Sequence, residues 1–430
     1  MRRLAGIRRA LPTGSFFRGS LAIAAGTGAA QLIGIASQPI LTRLYSPSDY
    51  GVFSVAIAIL FVLSSITCLR YEYAIALPDD DVEAANVLGL SLLVNVVMTV
   101  AATAVLWLFG SWLLGLLGAS SLAPYILLFS LTQFGIGFNA ALVNWAVRTK
   151  DYSTIALNRL TQAVILSPVQ IGLGAIGMGA PGLLIGAVAG SFAGSARLAR
   201  RAWQGHASAF RRISWAGMRA AARRYRRFPI FSSGSALIAA LGIRAPLLLL
   251  VAFYGTTIGG QYALAERLLY LPMTIVAGAI GHVFSAESAR LARERQPSEL
   301  RALFKRTTWT LARMAIGPAL LIALAAPFLT APVFGEEWRE SGLIIAILIP
   351  MFYLSFVATA TGEILYIVER QPLQLVREIL RVSLLGGSVL VAAGLGLSPL
   401  GTVVVLSAAG CITYTLYALI SWRALSAYHP

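Results

Sequence analysis

The sequence predicts an all-α integral membrane protein with about twelve transmembrane helices in two six-helix lobes and both termini on the inner side. Three observations lead there. The 430 residues are 58% hydrophobic and only 12% charged, with mean hydropathy +0.77, whereas soluble domains run nearer half apolar and a quarter charged. Apolar runs of about 20 residues, the length that crosses a hydrocarbon core of about 30 Å, recur roughly a dozen times. The Arg and Lys residues lie between these runs and crowd into alternate connections, the bias that orients polytopic proteins.

The first six candidate spans lie near 20–44, 50–77, 86–109, 121–147, 154–176 and 181–203, and the second six near 229–254, 261–285, 308–331, 342–368, 375–395 and 399–422. A basic segment separates the sets. The expected organisation is a first lobe over 1–203, a cytoplasmic linker over 204–228 and a second lobe over 229–430. With the N-terminus inside, the inner segments hold 29 of the 34 Lys and Arg residues, while the outer ones hold only Arg43 and Arg339. An N-in, C-in topology with an even number of spans follows. Arg2, Arg3, Arg8 and Arg9 before an apolar stretch imitate a secretory signal. That stretch, however, is too long for a signal core and carries Gln31 and Gln38, so it reads as the first span.

A net charge of +17 would suggest nucleic acid in a soluble protein. Here the cations cluster at the inner ends of apolar spans, Arg211, Arg212, Arg219, Arg223, Arg224, Arg226 and Arg227 above all, so membrane lipids are the expected contact and nucleic acid is not. The linker is too short to fold as a catalytic domain. Cys68 and Cys411 match no metal or redox spacing, and His206, His282 and His429 are scattered. With no nucleotide-binding glycine loop and no carboxylate pair facing an outer cleft, no enzyme activity, cofactor or metal is expected.

The two halves are alike where they begin. At a constant offset of 209, Tyr45, Gly51, Phe53 and Ala56 fall on Tyr254, Gly260, Tyr262 and Ala265. A parallel repeat of this kind places a cavity between two lobes that rock against each other.

Ionisable groups inside a span are costly and face a bundle interior or a watery cavity, which makes them candidate site residues. Arg244 in span seven lies about 22 Å from the inner face, and Arg267 in span eight about 9 Å below the outer one, so the two share a depth. Glu266 is next to Arg267 in sequence but about 100° around the helix, free to pair elsewhere or to neutralise Arg244. Arginine suits a diphosphate because its planar fork binds two phosphate oxygens and stays charged when desolvated; a structural salt bridge is the competing explanation. Arg70, Glu72 and Arg313 lie near the inner face, where snorkelling accounts for the arginines. Gln31 and Gln38 share a face of span one, and Asn158 and Gln162 a face of span five beside Arg159; such amides bond between helices or line a path. Pro39, Pro168, Pro246 and Pro272 are expected to interrupt spans one, five, seven and eight. Asp79, Asp80, Asp81 and Glu83 are expected to begin the third helix, where negative charge meets the positive end of the dipole.

Two strings carry a resemblance: Leu41-Thr-Arg-Leu-Tyr-Ser-Pro-Ser-Asp-Tyr-Gly-Val-Phe-Ser54 after the first span, and Leu69-Arg-Tyr-Glu-Tyr-Ala-Ile-Ala-Leu-Pro-Asp-Asp80 at the end of the second. They resemble the bacterial oligosaccharide flippases, the polysaccharide transporters of the multidrug/oligosaccharidyl-lipid/polysaccharide exporter superfamily. The resemblance implies a MATE-like pair of lobes in the bacterial inner membrane. It also implies a lipid-linked oligosaccharide substrate on undecaprenyl diphosphate, moved by alternating access for O-antigen, capsule or exopolysaccharide synthesis. Basic cavity residues would meet the diphosphate, a role that Arg244 and Arg267 match by depth and type. Polysaccharide polymerase and chain-length machinery are implied partners. Two readings compete. A cation-coupled exporter would want membrane-embedded carboxylates, of which Glu266 alone lies deep in a span, and a membrane glycosyltransferase or polymerase would want a larger outer loop than the one near 331–341.

Overall fold

The computed structural model describes residues 15–428, and all twelve apolar runs are helical in it; the first four arginines lie outside the described residues. Among the described residues, eight helices are long and apolar enough to cross a membrane by length and composition. Spans one, five, eight and eleven are not among the eight; in five and eleven, charged and amide side chains interrupt the apolar run. Those helices are Ser15–Ala36 with Gln38–Leu44, Tyr152–Ala175, Thr256–Arg293, and Gln371–Arg381 continuing through a π-turn into Gly387–Gly394. The two interrupted spans, five and eleven, carry Arg159 and Arg377.

Local sequence explains where several helices begin and break. Pro39 has no N–H for the helical bond, and span one divides beside it at Ser37. Pro168 and Pro246, by contrast, sit inside continuous helices, so the expected interruptions there are absent; Pro272 lies outside the described residues. The helix Pro47–Ser64 starts with a capping box in which Ser46 and Asp49 satisfy each other's backbone N–H, with proline in the first turn. The other Asp49 oxygen accepts the Ala180 N–H at 3.0 Å, tying span two to the start of span six.

The apolar run of span two predicts an unbroken helix to residue 77. Its α-helix instead stops at Ser64, and the chain turns through Leu69 and Arg70, both with left-handed φ (47° and 64°), into a 3-10 helix over Tyr71–Ala76. The residues past Ser64 are still apolar, so hydropathy alone gives no sign of the break. The third helix, Asp81–Leu116, begins as its acids predict: Asp80 caps it by accepting the Glu83 N–H at 2.9 Å. The sixth span, Ala180–Phe192, turns at Gly194 (φ 78°) into a second helix, Ser195–Phe210, beyond which the linker holds a short helix, Trp215–Arg224, capped by Ser214.

Packing of the two lobes is asymmetric across the membrane. One apolar cluster joins them in the outer half, with Leu106, Leu114 and Leu122 of the first lobe packed in the same core as Leu250, Val251 and Ile344 of the second. In the inner half each lobe has separate cores, one built on Tyr71, Val87 and Trp145 and another on Phe284, Leu300 and Leu425. The lobes are therefore closed together at the outer face and packed independently at the Arg-rich face.

Candidate functional site

The outer closure is built from the repeated glycines. A Cβ on Gly51 would overlap the carbonyl of Thr256, and a Cβ on Gly260 would overlap the carbonyl of Pro47. Pro47 and Thr256 are themselves related by the 209-residue offset, so the contact is reciprocal, as a pseudo-twofold axis requires. Ser48 and Thr256 share a hydrogen bond of 2.9 Å across it. Glycine is needed at both positions because the helix Pro47–Ser64 and the start of Thr256–Arg293 approach backbone to backbone.

A second layer seals the same face. The connection near 331–341 is not a loose loop: it folds into a short 3-10 turn, Glu336–Trp338, that buries Trp338 completely. Its indole N–H donates to the Thr42 carbonyl at 2.8 Å, its ring packs edge-on against Tyr50 at 5.0 Å, and Arg43 donates to the Pro332 carbonyl at 3.1 Å. Gln261, itself 2% exposed, holds the turn in place by donating to the Glu337 carbonyl at 2.6 Å and accepting the Ser341 N–H at 2.9 Å. Tyr50 donates to Gln38 at 3.0 Å, while Gln38 donates to the Gly34 carbonyl at 2.8 Å across the break in span one. Gln38 is thus part of the closure, and Gln31, further down the same span, has a buried Oε1 without a partner.

Directly below the closure lie the charged groups. Arg244 and Glu266 form an ion pair at 3.4 Å, each side chain about one-fifth exposed (23% and 22%), and the Arg244 guanidinium lies 4.6 Å above the Phe61 ring of the first lobe. The expected neutralisation of Arg244 by Glu266 is present. Arg267, on the next residue, points a different way: a Cβ on Gly34 would lie 3.4 Å from its Nη2, which places the guanidinium against span one of the opposite lobe. None of the ion pairs among the described residues involves Arg267, Arg159 or Arg70. Arg267 is therefore an inter-lobe cation that no described side-chain carboxylate within ion-pair distance balances, about 16 Å along its helix from Thr256.

The remaining expected residues lie elsewhere. Arg159 is exposed, on the sector of span five between the faces that pack on span one, through Ala156, and on span six, through Asn158. Asn158 and Asn139 bond to each other at 3.2 Å and Asn139 to Ser195 at 2.9 Å, so these amides join helices rather than line a path. Arg70, in the left-handed turn that ends span two, stacks over Tyr73 at 5.1 Å, and Glu72, in the 3-10 helix that follows, is buried (7% exposed) with one oxygen unpartnered. They belong to the inner end of the first lobe, away from Arg244 and Arg267.

Sequence reasoning missed two groups. Trp338 and Gln261 had no signal beyond an aromatic in an outer connection and an amide near a helix start. In span eleven, Arg377 is 4% exposed, donates to the Gly362 carbonyl at 3.1 Å and stacks 4.2 Å from the Tyr417 ring, while Glu378 pairs with Arg381. Arg377 and Arg381 fall within the span drawn from residue 375, and that position was the available signal. Counting them with the inner connection hid them.

The family model described as "Polysaccharide biosynthesis protein" matches residues 40–342. The chain belongs to this family. The match begins at the break in span one and takes in both halves of the reciprocal glycine contact. No curated relative matches the chain. Among solved structures, this polysaccharide biosynthesis protein resembles the lipid II flippase MurJ in an inward closed conformation, with TM-score 0.69 and 14% identity over 94% of this chain and 87% of that one. It also resembles an outward-facing MATE family multidrug resistance transporter of the MOP superfamily, with TM-score 0.55 and 16% identity over 97% and 96% of the two chains. A third is a MOP superfamily transporter from Pyrococcus furiosus, for which reverse polarity of the binding pocket suggests a different function; it gives TM-score 0.56 at 16% identity over 96% of each chain. These likenesses show the fold: the family member is a multi-pass membrane protein with the two-lobe architecture of that superfamily.

Proposed function

We propose that this polysaccharide biosynthesis protein is an inner-membrane flippase that carries an undecaprenyl-diphosphate-linked oligosaccharide from the inner to the outer leaflet. The observation that carries the reading is Arg267, an arginine without a carboxylate partner among the described residues, held between the lobes directly beneath the outer closure. The closed outer half and separately packed inner half correspond to the stage at which cargo enters from the inner leaflet. A diphosphate reaching Arg267 would meet a forked donor that keeps its charge when desolvated. Arg244, tethered by Glu266, supplies a second cation at the same depth. Rocking of the lobes about the Gly51 and Gly260 contact would then expose the cargo outside. Coupling to a cation is the weaker alternative, because Glu266 is engaged by Arg244 and not free to cycle a proton or sodium ion.

The test is flipping of a fluorescent undecaprenyl-diphosphate oligosaccharide in proteoliposomes, comparing the intact chain with Arg267→Ala and Arg267→Lys. Loss of one diphosphate contact predicts roughly a tenfold or greater fall for Arg267→Ala, and partial retention for Arg267→Lys, which keeps charge but loses the fork. Unchanged flipping in Arg267→Ala would remove the site. A chain inactive toward several lipid-linked cargoes would remove the function.

A further inference from the structure

A groove at the inner end of the first lobe is not accounted for by the proposed transport path. It runs along the helix Ser195–Phe210, where Arg197, Arg200, Arg201 and Gln204 are spaced i, i+3, i+4 and i+7 and so share one face. That face closes a hollow of about 510 Å³ against Ser153, Thr154 and Leu157 at the start of span five. An adjoining hollow of about 410 Å³ shares Thr154, Arg201 and Gln204 and reaches in to Trp145 and His206.

Three features point to a ligand. Arg197 and Arg200 take part in none of the ion pairs among the described residues. Arg201 faces Asp151, but that carboxylate already accepts from Ser153 at 2.9 Å and from the Thr154 hydroxyl at 2.7 Å. Trp145, 1% exposed, borders the inner hollow, and its indole N–H and the His206 Nδ1 beside it are buried without a hydrogen-bond partner. The groove thus offers cationic forks that no described carboxylate engages at Arg197 and Arg200, the complement of a phosphate.

The surroundings select the source of that phosphate. Leu157, on the rim, is exposed, and Val164 and Pro168 continue its face of span five into the membrane, with Leu157 and Val164 41% and 53% exposed. Trp203, on the same helix as the arginines, is also exposed, as aromatic side chains are at the interface between headgroups and acyl chains. A free phosphate would use the arginines alone; a phospholipid uses the arginines and the apolar stripe together. We propose that this groove binds an anionic phospholipid of the inner leaflet, its phosphate on Arg197 and Arg200 and an acyl chain along Leu157 and Val164. The site is separate from Arg267 and does not depend on the transport reading.

Native mass spectrometry of the delipidated full chain, titrated with phosphatidylglycerol, phosphatidylcholine or inorganic phosphate, tests this. Phosphatidylglycerol should bind in preference to phosphatidylcholine, and Arg197→Gln/Arg200→Gln should weaken it by roughly tenfold or more. The linker pair Arg226→Gln/Arg227→Gln, equal in charge change, should alter it by less than about threefold. Equal losses in the two double variants would overturn the site in favour of diffuse attraction to the basic face. Competition by millimolar inorganic phosphate would overturn the lipid assignment and leave a soluble-anion site. An unfolding temperature matching the parent chain guards the Arg197/Arg200 result, and Leu157→Gln, which leaves every cation in place, should also weaken lipid binding; no effect there overturns the acyl-chain half of the proposal.

Discussion

Gly51 and Gly260 each rest on the backbone that carries the other: Gly51 on the carbonyl of Thr256, Gly260 on the carbonyl of Pro47. The contact makes the weak internal repeat of the sequence into the axis where the two lobes meet. Adding a side chain on either glycine must push the helices apart, because the atoms in the way are backbone rather than the far end of a flexible chain.

Gly51→Val should therefore open the outer closure. In a chain carrying Cys68→Ser and Cys411→Ser, the single thiol of Ser48→Cys should react with a membrane-impermeant reagent at least about tenfold faster once Gly51→Val is added, and Gly260→Val should do the same. The factor follows from a shift of about 1.4 kcal/mol between closed and open forms. Equal labelling rates with and without the valine would show that the contact does not hold the face shut.

Trp338→Ala should destabilise the closed form by about 3 kcal/mol, since it removes a fully buried indole, its bond to Thr42 and its packing on Tyr50. Trp338→Phe keeps the edge contact and should lose less. Thermal unfolding in detergent measures both, and an alanine variant as stable as the parent would contradict the packing.

Arg244 and Glu266 make a sharper case because stability and transport separate. Either single change to methionine leaves a partly buried charge without its partner and should cost about 3–5 kcal/mol, while the double methionine variant should recover most of that. If Arg244 also serves cargo, flipping stays low in the stable double variant. Full recovery of flipping would reduce the pair to a structural bridge.

Asp151 supplies a pH prediction. Burial alone would raise its carboxyl, but the bonds from Thr154 and Ser153 and the charge of Arg201 outweigh it and hold the group below the ordinary aspartate range. A depressed folded value means that the cap stabilises fully above the unfolded pKa of about 3.9 and is lost as pH falls through the lower folded one. Asp151→Ala should cost about 1 kcal/mol near pH 7, with the gap in unfolding temperature narrowing below about pH 4. A gap that does not change with pH would mean the carboxylate contributes nothing as an anion.

Much of this was legible in the sequence for one reason: a bilayer demands long apolar runs and tolerates few charges, so spans, orientation and candidate intramembrane ions are written in composition. Arg244, Glu266 and Arg267 stood out on those grounds, and the Asp80 cap followed from its position. The break after Ser64 was hidden because the residues beyond it are as apolar as those before it. Arg377 and Glu378 were hidden because charges in the first turns of a span are easily counted with the connection before it.

The sequence by itself determined that the chain crosses the membrane about twelve times in two similar halves, since hydropathy and charge bias act residue by residue along the chain. Only the tertiary structure decided that Glu266 belongs to Arg244 rather than Arg267, that Trp338 closes the outer face, and that the repeated glycines touch. Those are relations between residues as many as 296 positions apart. They depend on which helix faces come together, and that is set by packing across the lobes rather than by any local pattern.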